Sequence, residues 1–102
     1  MKVRIIDTAL EKFISSLPSP TLAKTLHTID LLEEFGPQLG LPHSRKVAPH
    51  IFELRVRGTH EVRIFFAFHG GEAVLLHGYI KKSQKLPKRE LQTAVQKYKQ
   101  LA

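Results

Sequence analysis

A chain of 102 residues with 42% apolar content is sized and composed for one globular domain, expected over residues 1–102, and not for a disordered tail. It has no cysteine, which excludes disulfides and thiolate metal sites. No apolar run is long enough to span a bilayer and Met1 to Asp7 lacks the apolar centre of a signal peptide, so the expected location is the cytoplasm, with no membrane partner. The net charge of +7 is segregated: residues 1–42 carry four Lys/Arg against five Asp/Glu, residues 43–102 twelve against four, which points to an anionic partner for the second part.

Lys2 to Ile6 reads as a short strand. Asp7 suits a helix N-cap, and Ala9, Leu10, Phe13, Ile14 and Leu17 follow at helical spacing until Pro18. Ser19-Pro20 is a second helix start, because Ser accepts from free N–H groups and Pro gives up a donor that has no partner in the first turn. Leu22, Leu26, Ile29 and Leu32 form its stripe, with Ala23 and Phe35 alongside, and Gly36-Pro37 ends it. The first 36 residues therefore read as a helical hairpin with its leucines in the core. Residues 37–50 hold three prolines and little periodicity and read as a loop, basic at Arg45 and Lys46.

Three strands follow. In Ile51 to Arg57, Phe52, Leu54 and Val56 alternate with Glu53, Arg55 and Arg57, as a half-buried strand requires. Gly58-Thr59-His60 suits a three-residue hairpin loop; Val62, Ile64, Phe66 and Phe68 continue the apolar face, and Arg63 and Phe65 point the other way. That register sets Arg57 against Glu61 and Arg55 against Arg63. Two arginines facing across one ladder repel, and an anion between them would relieve the repulsion. His69-Gly70-Gly71 turns the chain into a strand from Ala73 to Lys82. A three-residue turn puts His77, Tyr79 and Lys81 on the face of Arg63, whereas a two-residue Gly-Gly turn flips them; the cost of burying Lys81 without a partner favours the first.

The stretch from Lys81 to Arg89 then places five cations in nine residues: Lys81, Lys82, Lys85, Lys88 and Arg89. Pro87 opens a last helix with Leu91, Ala94, Val95, Tyr98 and Leu101 as its stripe. Lys88 and Arg89 stand where the helix dipole disfavours cations, which again points to an anion nearby. The expected fold class is α+β in the order β-α-α-β-β-β-α, a small antiparallel sheet packed by helices.

One sheet face thus gathers Glu53, Arg55, Arg57, Arg63, Phe65, His77, Tyr79 and Lys81, with Lys82 and Lys85 at its rim. Cations hold phosphates, and aromatic rings offer platforms for unpaired bases. A carboxylate can take a proton and a Tyr or Lys can give one. RNA is cut without metal when its 2′-OH attacks the adjacent phosphate under fixed positive charge. A structural ion pair equally explains Glu53 beside two arginines. There is no phosphate-loop or dinucleotide glycine pattern, and the six histidines lack metal-ligand spacing, so no cofactor and no metal are expected.

Taken together, these segments resemble the RelE/ParE superfamily of toxins, closest to its HigB-like, phage-derived (Gp49-like) branch. The residues that carry the resemblance are Leu39-Gly40-Leu41-Pro42, Phe52-Glu53-Leu54-Arg55, Val62-Arg63, Leu75 to Lys85, Pro87, and Glu90 to Ala94. The resemblance implies a RelE-like fold and the toxin of a type II toxin–antitoxin system. Many such toxins cut mRNA on the ribosome without metal and are silenced by an antitoxin, in this branch often a helix-turn-helix protein. By position it implies that Arg55 and Arg63 hold the scissile phosphate, that Lys81 or Lys82 stabilises the transition state or donates a proton, and that Glu53 is a base. The wider RNA-binding surface is expected to comprise Arg45, Lys46, Arg57, Phe65, His77, Lys85, Lys88 and Arg89. Tyr79 stands where the family usually has Phe, and Tyr98 lies on the apolar stripe. The rival function is a non-enzymatic, ParE-like inhibitor of DNA gyrase, or an inactive remnant that binds nucleic acid or an antitoxin; the cationic face favours the nuclease.

Overall fold

Asp7 caps the first helix as its position suggests, accepting a hydrogen bond from the Leu10 N–H at 3.0 Å. In the computed structural model, which describes residues 1–101, the elements run β1 (Lys2–Ile5), α1 (Thr8–Ser15), α2 (Ser19–Phe35), β2 (Ser44–Ala48), β3 (Ile51–Val56), β4 (Val62–His69), β5 (Glu72–Ile80) and α3 (Lys88–Lys99), with a 3-10 turn at Gly36–Gln38. The strands form one sheet in the order β1-β5-β4-β3-β2. The fold is α+β, as expected, but the sheet is mixed. β1 runs parallel to β5 while β2 to β5 form an antiparallel meander.

Two cores lie on the two faces of the sheet. On one, Leu10, Ile14, Leu17 and Leu32 of the α1–α2 segment meet Leu54, Val56, Val62, Ile64, Phe66 and Leu75. On the other, Ala94 of α3 meets Ile51, Phe65, Ala67, Val74 and Leu76. Burying side chains of the Val, Leu, Ile and Phe kind contributes roughly 1.5–3 kcal/mol each, so these two layers supply most of the driving force. Gly78 lets α1 approach β5: a Cβ there would stand 2.7 Å from Cε2 of Phe13.

The apolar stripe expected on α2 is corrected in part: Leu22, Ile29 and Leu32 pack on the core as expected, but its other large members do not. Leu26 is 48% exposed and Phe35 46%, whereas Thr21, Thr25 and Thr28 turn inward beside Leu32. The threonines can be buried because the helix backbone satisfies their hydroxyls. Thr25 donates to the Thr21 carbonyl and Thr28 to the Lys24 carbonyl, both at 2.8 Å, leaving the methyl groups to pack.

The loop expected over residues 37–50 is also corrected, since it contains β2. Arg45 lies opposite Glu53 and Lys46 opposite Phe52 on the antiparallel ladder with β3. An edge strand needs apolar side chains on one side only, and charge pairing with its neighbour can substitute for alternation.

The β4–β5 turn settles the open question of register in an unexpected way. It is the two-residue turn: His69 pairs with Glu72, and Gly70 and Gly71 both take positive φ, 59° and 77°, as a tight hairpin of that length demands. A bulge between Phe65 and Phe66 then shifts the register by one residue. Leu76 packs in the α3-side core and His77 meets Glu90 of α3, so both β5 residues serve the same side. Beyond the bulge, Phe65 pairs with His77 and Arg63 with Tyr79, which restores the faces, though not the pairings, that a three-residue turn over His69 to Gly71 would have given.

Candidate functional site

Four strands bring a charged cluster to the α3 side of the sheet. Arg45 on β2, Glu53 and Arg55 on β3, Arg63 on β4 and Tyr79 on β5 occupy neighbouring register positions. Glu53 is fully buried, and its Oε1 is the focus. Arg45 Nε donates to it at 3.0 Å, and the Nε atoms of Arg55 and Arg63 each lie 3.9 Å away. Arg63 is the most enclosed of the three, its side chain 2% exposed; Nη1 donates to the Val62 carbonyl at 3.1 Å and Nη2 to Glu61 Oε1 at 3.4 Å. Glu61 also meets Arg57 at 3.7 Å, the pairing the hairpin register predicts.

Four guanidiniums therefore share two carboxylates, a surplus of two positive charges. The crowding acts on the groups themselves. Burial, then the charges of Arg63 and Arg45, pull the Arg55 guanidinium below its ordinary value, against the pull of Glu53. Burial, then the Glu53 carboxylate, pushes the Tyr79 phenol up to about 12. Four buried polar atoms in this cluster have no hydrogen-bond partner among the described residues: Glu53 Oε2, Arg55 Nε, Arg63 Nε and the Tyr79 hydroxyl. Each such atom costs on the order of 1–3 kcal/mol unless something meets it.

Around the cluster lies a rim of cations. Glu61, Lys81, Lys82, Ser83 and Gln84 line a shallow hollow of about 250 Å³, and the Lys81 N–H donates to the Glu61 carbonyl at 2.7 Å. Glu61 thus joins the buried Arg63 to the lysine loop. Lys46, Arg57, Lys85, Lys88 and Arg89 are all exposed, as solvent-facing contacts to an anion require. His77 stands apart, its Nε2 2.8 Å from Glu90 Oε2.

Two expected roles do not fit their surroundings. Phe65, read as a base-stacking platform, is fully buried against Tyr79, ring centroids 5.6 Å apart, and has no face to offer. Glu53, read as a base, has one oxygen shared among three guanidiniums and no exposed surface, so no 2′-hydroxyl reaches it while Arg45 covers it. Sequence reasoning paired Glu61 with Arg57 but missed its second contact, to Arg63, and missed Glu90 as the partner of His77. Glu90 carried no signal, since its partner lies on another element.

Among the described residues no group of three or more His, Asp or Glu side chains is placed to hold a metal ion. No helix among the described residues is long and apolar enough to cross a membrane.

No curated protein matches the chain. The sequence profile of the phage-derived Gp49-like proteins (DUF891) matches residues 12–99, a span that runs from α1 to the last residue of α3 and takes in every arginine and lysine of the cluster and its rim. The chain belongs to that family, which is the RelE/HigB-like branch of toxins.

Proposed function

We propose that this chain is the toxin of a type II toxin–antitoxin system and that it cuts mRNA on the ribosome as an endoribonuclease. The observation that supports this reading is the charge surplus at the Glu53 cluster, four guanidiniums on two carboxylates beside a lysine rim. In the proposed reaction the 2′-oxygen attacks the adjacent phosphorus and the P–O5′ bond breaks. A 2′,3′-cyclic phosphate and a 5′-hydroxyl end form, with one proton leaving the 2′-oxygen and one arriving at O5′. Extra negative charge develops on the phosphoryl oxygens in the transition state, where preorganised cations act most strongly. Arg45 and Arg55, the partly exposed members of the cluster, are the proposed phosphate contacts, and Lys81 or Lys82 the donor to O5′. Arg63 and Glu53 are proposed as positioning residues that fix the array. The cellular partners are mRNA on the ribosome and a cognate antitoxin, proposed to be a helix-turn-helix protein, in the cytoplasm.

One observation favours the rival, a non-enzymatic binder. Arg63, which the family resemblance assigns to phosphate, is buried and already bonded to Val62 and Glu61. Primer extension on a reporter mRNA translated with purified ribosomes separates the two. The toxin reading expects in-frame cuts that need ribosomes and fall at least tenfold, or about 1.4 kcal/mol of barrier, in Arg45→Ala. Intact mRNA with folded wild-type protein overturns it and leaves the binder, with DNA gyrase as the next target to assay.

A further inference from the structure

A second basic feature lies at the edge of the sheet, where β2 gives out. The β2–β3 ladder stops at Ser44 opposite Leu54, and the Arg55 N–H then donates to the His43 carbonyl at 2.8 Å. Beyond that point α2 stands over the uncovered end of β3, and a cleft of about 410 Å³ opens between them. That volume lies within the range of small-ligand clefts, roughly 300–1,000 Å³. Its floor is apolar, formed by Val56 with Ala23 and Pro42. Its walls carry Lys24, His27, His43, Arg55 and Arg57, and no acidic side chain among the described residues lines it.

The composition is specific. An apolar floor beside two imidazoles suits a flat heteroaromatic ring, since histidine is one of the side chains on which bases stack. The cations suit a phosphate. Arg55 belongs to both places, lining the cleft while its Nε stands 3.9 Å from Glu53. A strand of RNA whose phosphate lies at the arginine cluster could set its neighbouring nucleotide here without crossing any acidic surface.

We propose that this cleft binds a single nucleotide, its base on the Val56 floor beside His27 and His43 and its phosphate on Lys24 and Arg57. The choice of RNA as its source rests on the nuclease reading above. The cleft itself is a claim about nucleoside phosphates and is tested without ribosomes or cleavage.

The test is a titration of the folded chain with adenosine 5′-monophosphate, with adenosine, and with inorganic phosphate, following the imidazole proton resonances of His27 and His43. The nucleotide is expected to shift both and to bind at least tenfold tighter than either fragment. Lys24→Glu and His27→Ala replace exposed residues of α2 outside the arginine cluster. Each is expected to weaken nucleotide binding about tenfold, or 1.4 kcal/mol, with the thermal midpoint unchanged. Phosphate binding as well as the nucleotide would reduce the cleft to an anion site and overturn the proposal. So would no binding, binding indifferent to both substitutions, or displacement by a poly-glutamate peptide that binds more tightly, which would make it a peptide groove. Nucleotide binding without mRNA cleavage leaves the cleft and removes the nuclease; cleavage without nucleotide binding does the reverse.

Discussion

Arg55 and Arg63 face each other across the β3–β4 ladder, and a single oxygen of Glu53 stands 3.9 Å from the Nε of each. Two like charges set opposite in a sheet repel, so the pair is tolerated because a carboxylate two residues before Arg55 lies between them. That carboxylate is buried and depends on the guanidiniums in turn. Removing one partner of a buried ion pair is far more damaging than its net worth suggests, because the survivor is left uncompensated.

It follows that Arg63→Ala is a stability mutation before it is anything else. It is expected to cost about 3–5 kcal/mol, the range for breaking a buried pair, out of the 5–15 kcal/mol that a domain of this kind holds in total. Arg45→Ala, whose side chain is 44% exposed, takes the 3.0 Å hydrogen bond from the buried Glu53 carboxylate but leaves Arg55 and Arg63 beside it, and is expected to cost less, about 1–3 kcal/mol. Urea denaturation of the two variants beside wild type checks both. Equal midpoints for Arg63→Ala and wild type would show that the cluster holds no such tension. Loss of toxicity in Arg63→Ala therefore says nothing about chemistry, and the exposed Arg45 is the informative position.

How far the sequence revealed all this depends on the distance over which each feature is determined. The Arg55–Arg63 pairing was legible because a three-residue hairpin fixes it locally, and the same register revealed Arg57 with Glu61. β2 was not legible: Ser44-Arg45-Lys46 has no alternation of its own and becomes a strand through Arg45 opposite Glu53. The core face of α2 was legible at Leu22, Ile29 and Leu32 and misread around them, because Thr25 and Thr28 count as polar while their hydroxyls bond to the preceding turn and leave the methyl groups to pack. Phe65 was given the correct side of the sheet and the wrong surroundings, since nothing in a strand's pattern says that α3 will cover it. The bulge after Phe65 cancelled a wrong turn length, so the faces of Arg63 and Tyr79 were right for a reason the sequence did not contain.

Gly78 offers a test of how tightly α1 is seated. Its missing Cβ would stand 2.7 and 2.8 Å from two carbons of the Phe13 ring, closer than real contacts come, and a tight 3.2 Å from Leu10 Cδ1. Gly78→Ala is expected to cost about 1–3 kcal/mol, as overpacking a core does. For a domain of this size that lowers the melting midpoint by several degrees, at about 4–8 °C per kcal/mol. In a Phe13→Ala background most of that cost should vanish. A full cost in both backgrounds would place the strain somewhere other than the ring.

The acid limb of stability should carry a contribution from Asp7. Its carboxylate is held below its ordinary value of 3.8, first by the Lys97 ammonium 2.9 Å away and then by the Leu10 N–H. A depressed folded value means stability that is fully present above pH 3.8 and lost as the pH falls through the lower folded value. Asp7→Ala removes both the cap and the link to α3, and is expected to cost about 1 kcal/mol at neutral pH from the cap alone. Wild type and variant should converge as the pH drops below 3.8. Unfolding curves at pH 7, 4 and 2 check this, and a gap that persists undiminished at pH 2 would assign the effect to helix propensity instead of the charge.

Tyr79 gives the opposite limb. Its phenol is pushed up to about 12 by burial and by Glu53, and its hydroxyl has no partner among the described residues. A raised folded value means that the associated stability is present below the ordinary value of 10 and is lost as the pH rises through 12. Because a buried unpaired hydroxyl costs free energy while the ring packs on Phe65, Tyr79→Phe is expected to stabilise the fold by about 1 kcal/mol and to flatten its alkaline decline. Thermal melts at pH 7 and 10.5 read both effects. With the hydroxyl buried and the arginines untouched, the variant should keep its activity within about twofold, or 0.4 kcal/mol. If Tyr79→Phe instead loses activity tenfold while gaining stability, the hydroxyl itself meets the substrate, and the donor to O5′ is Tyr79 in place of a lysine.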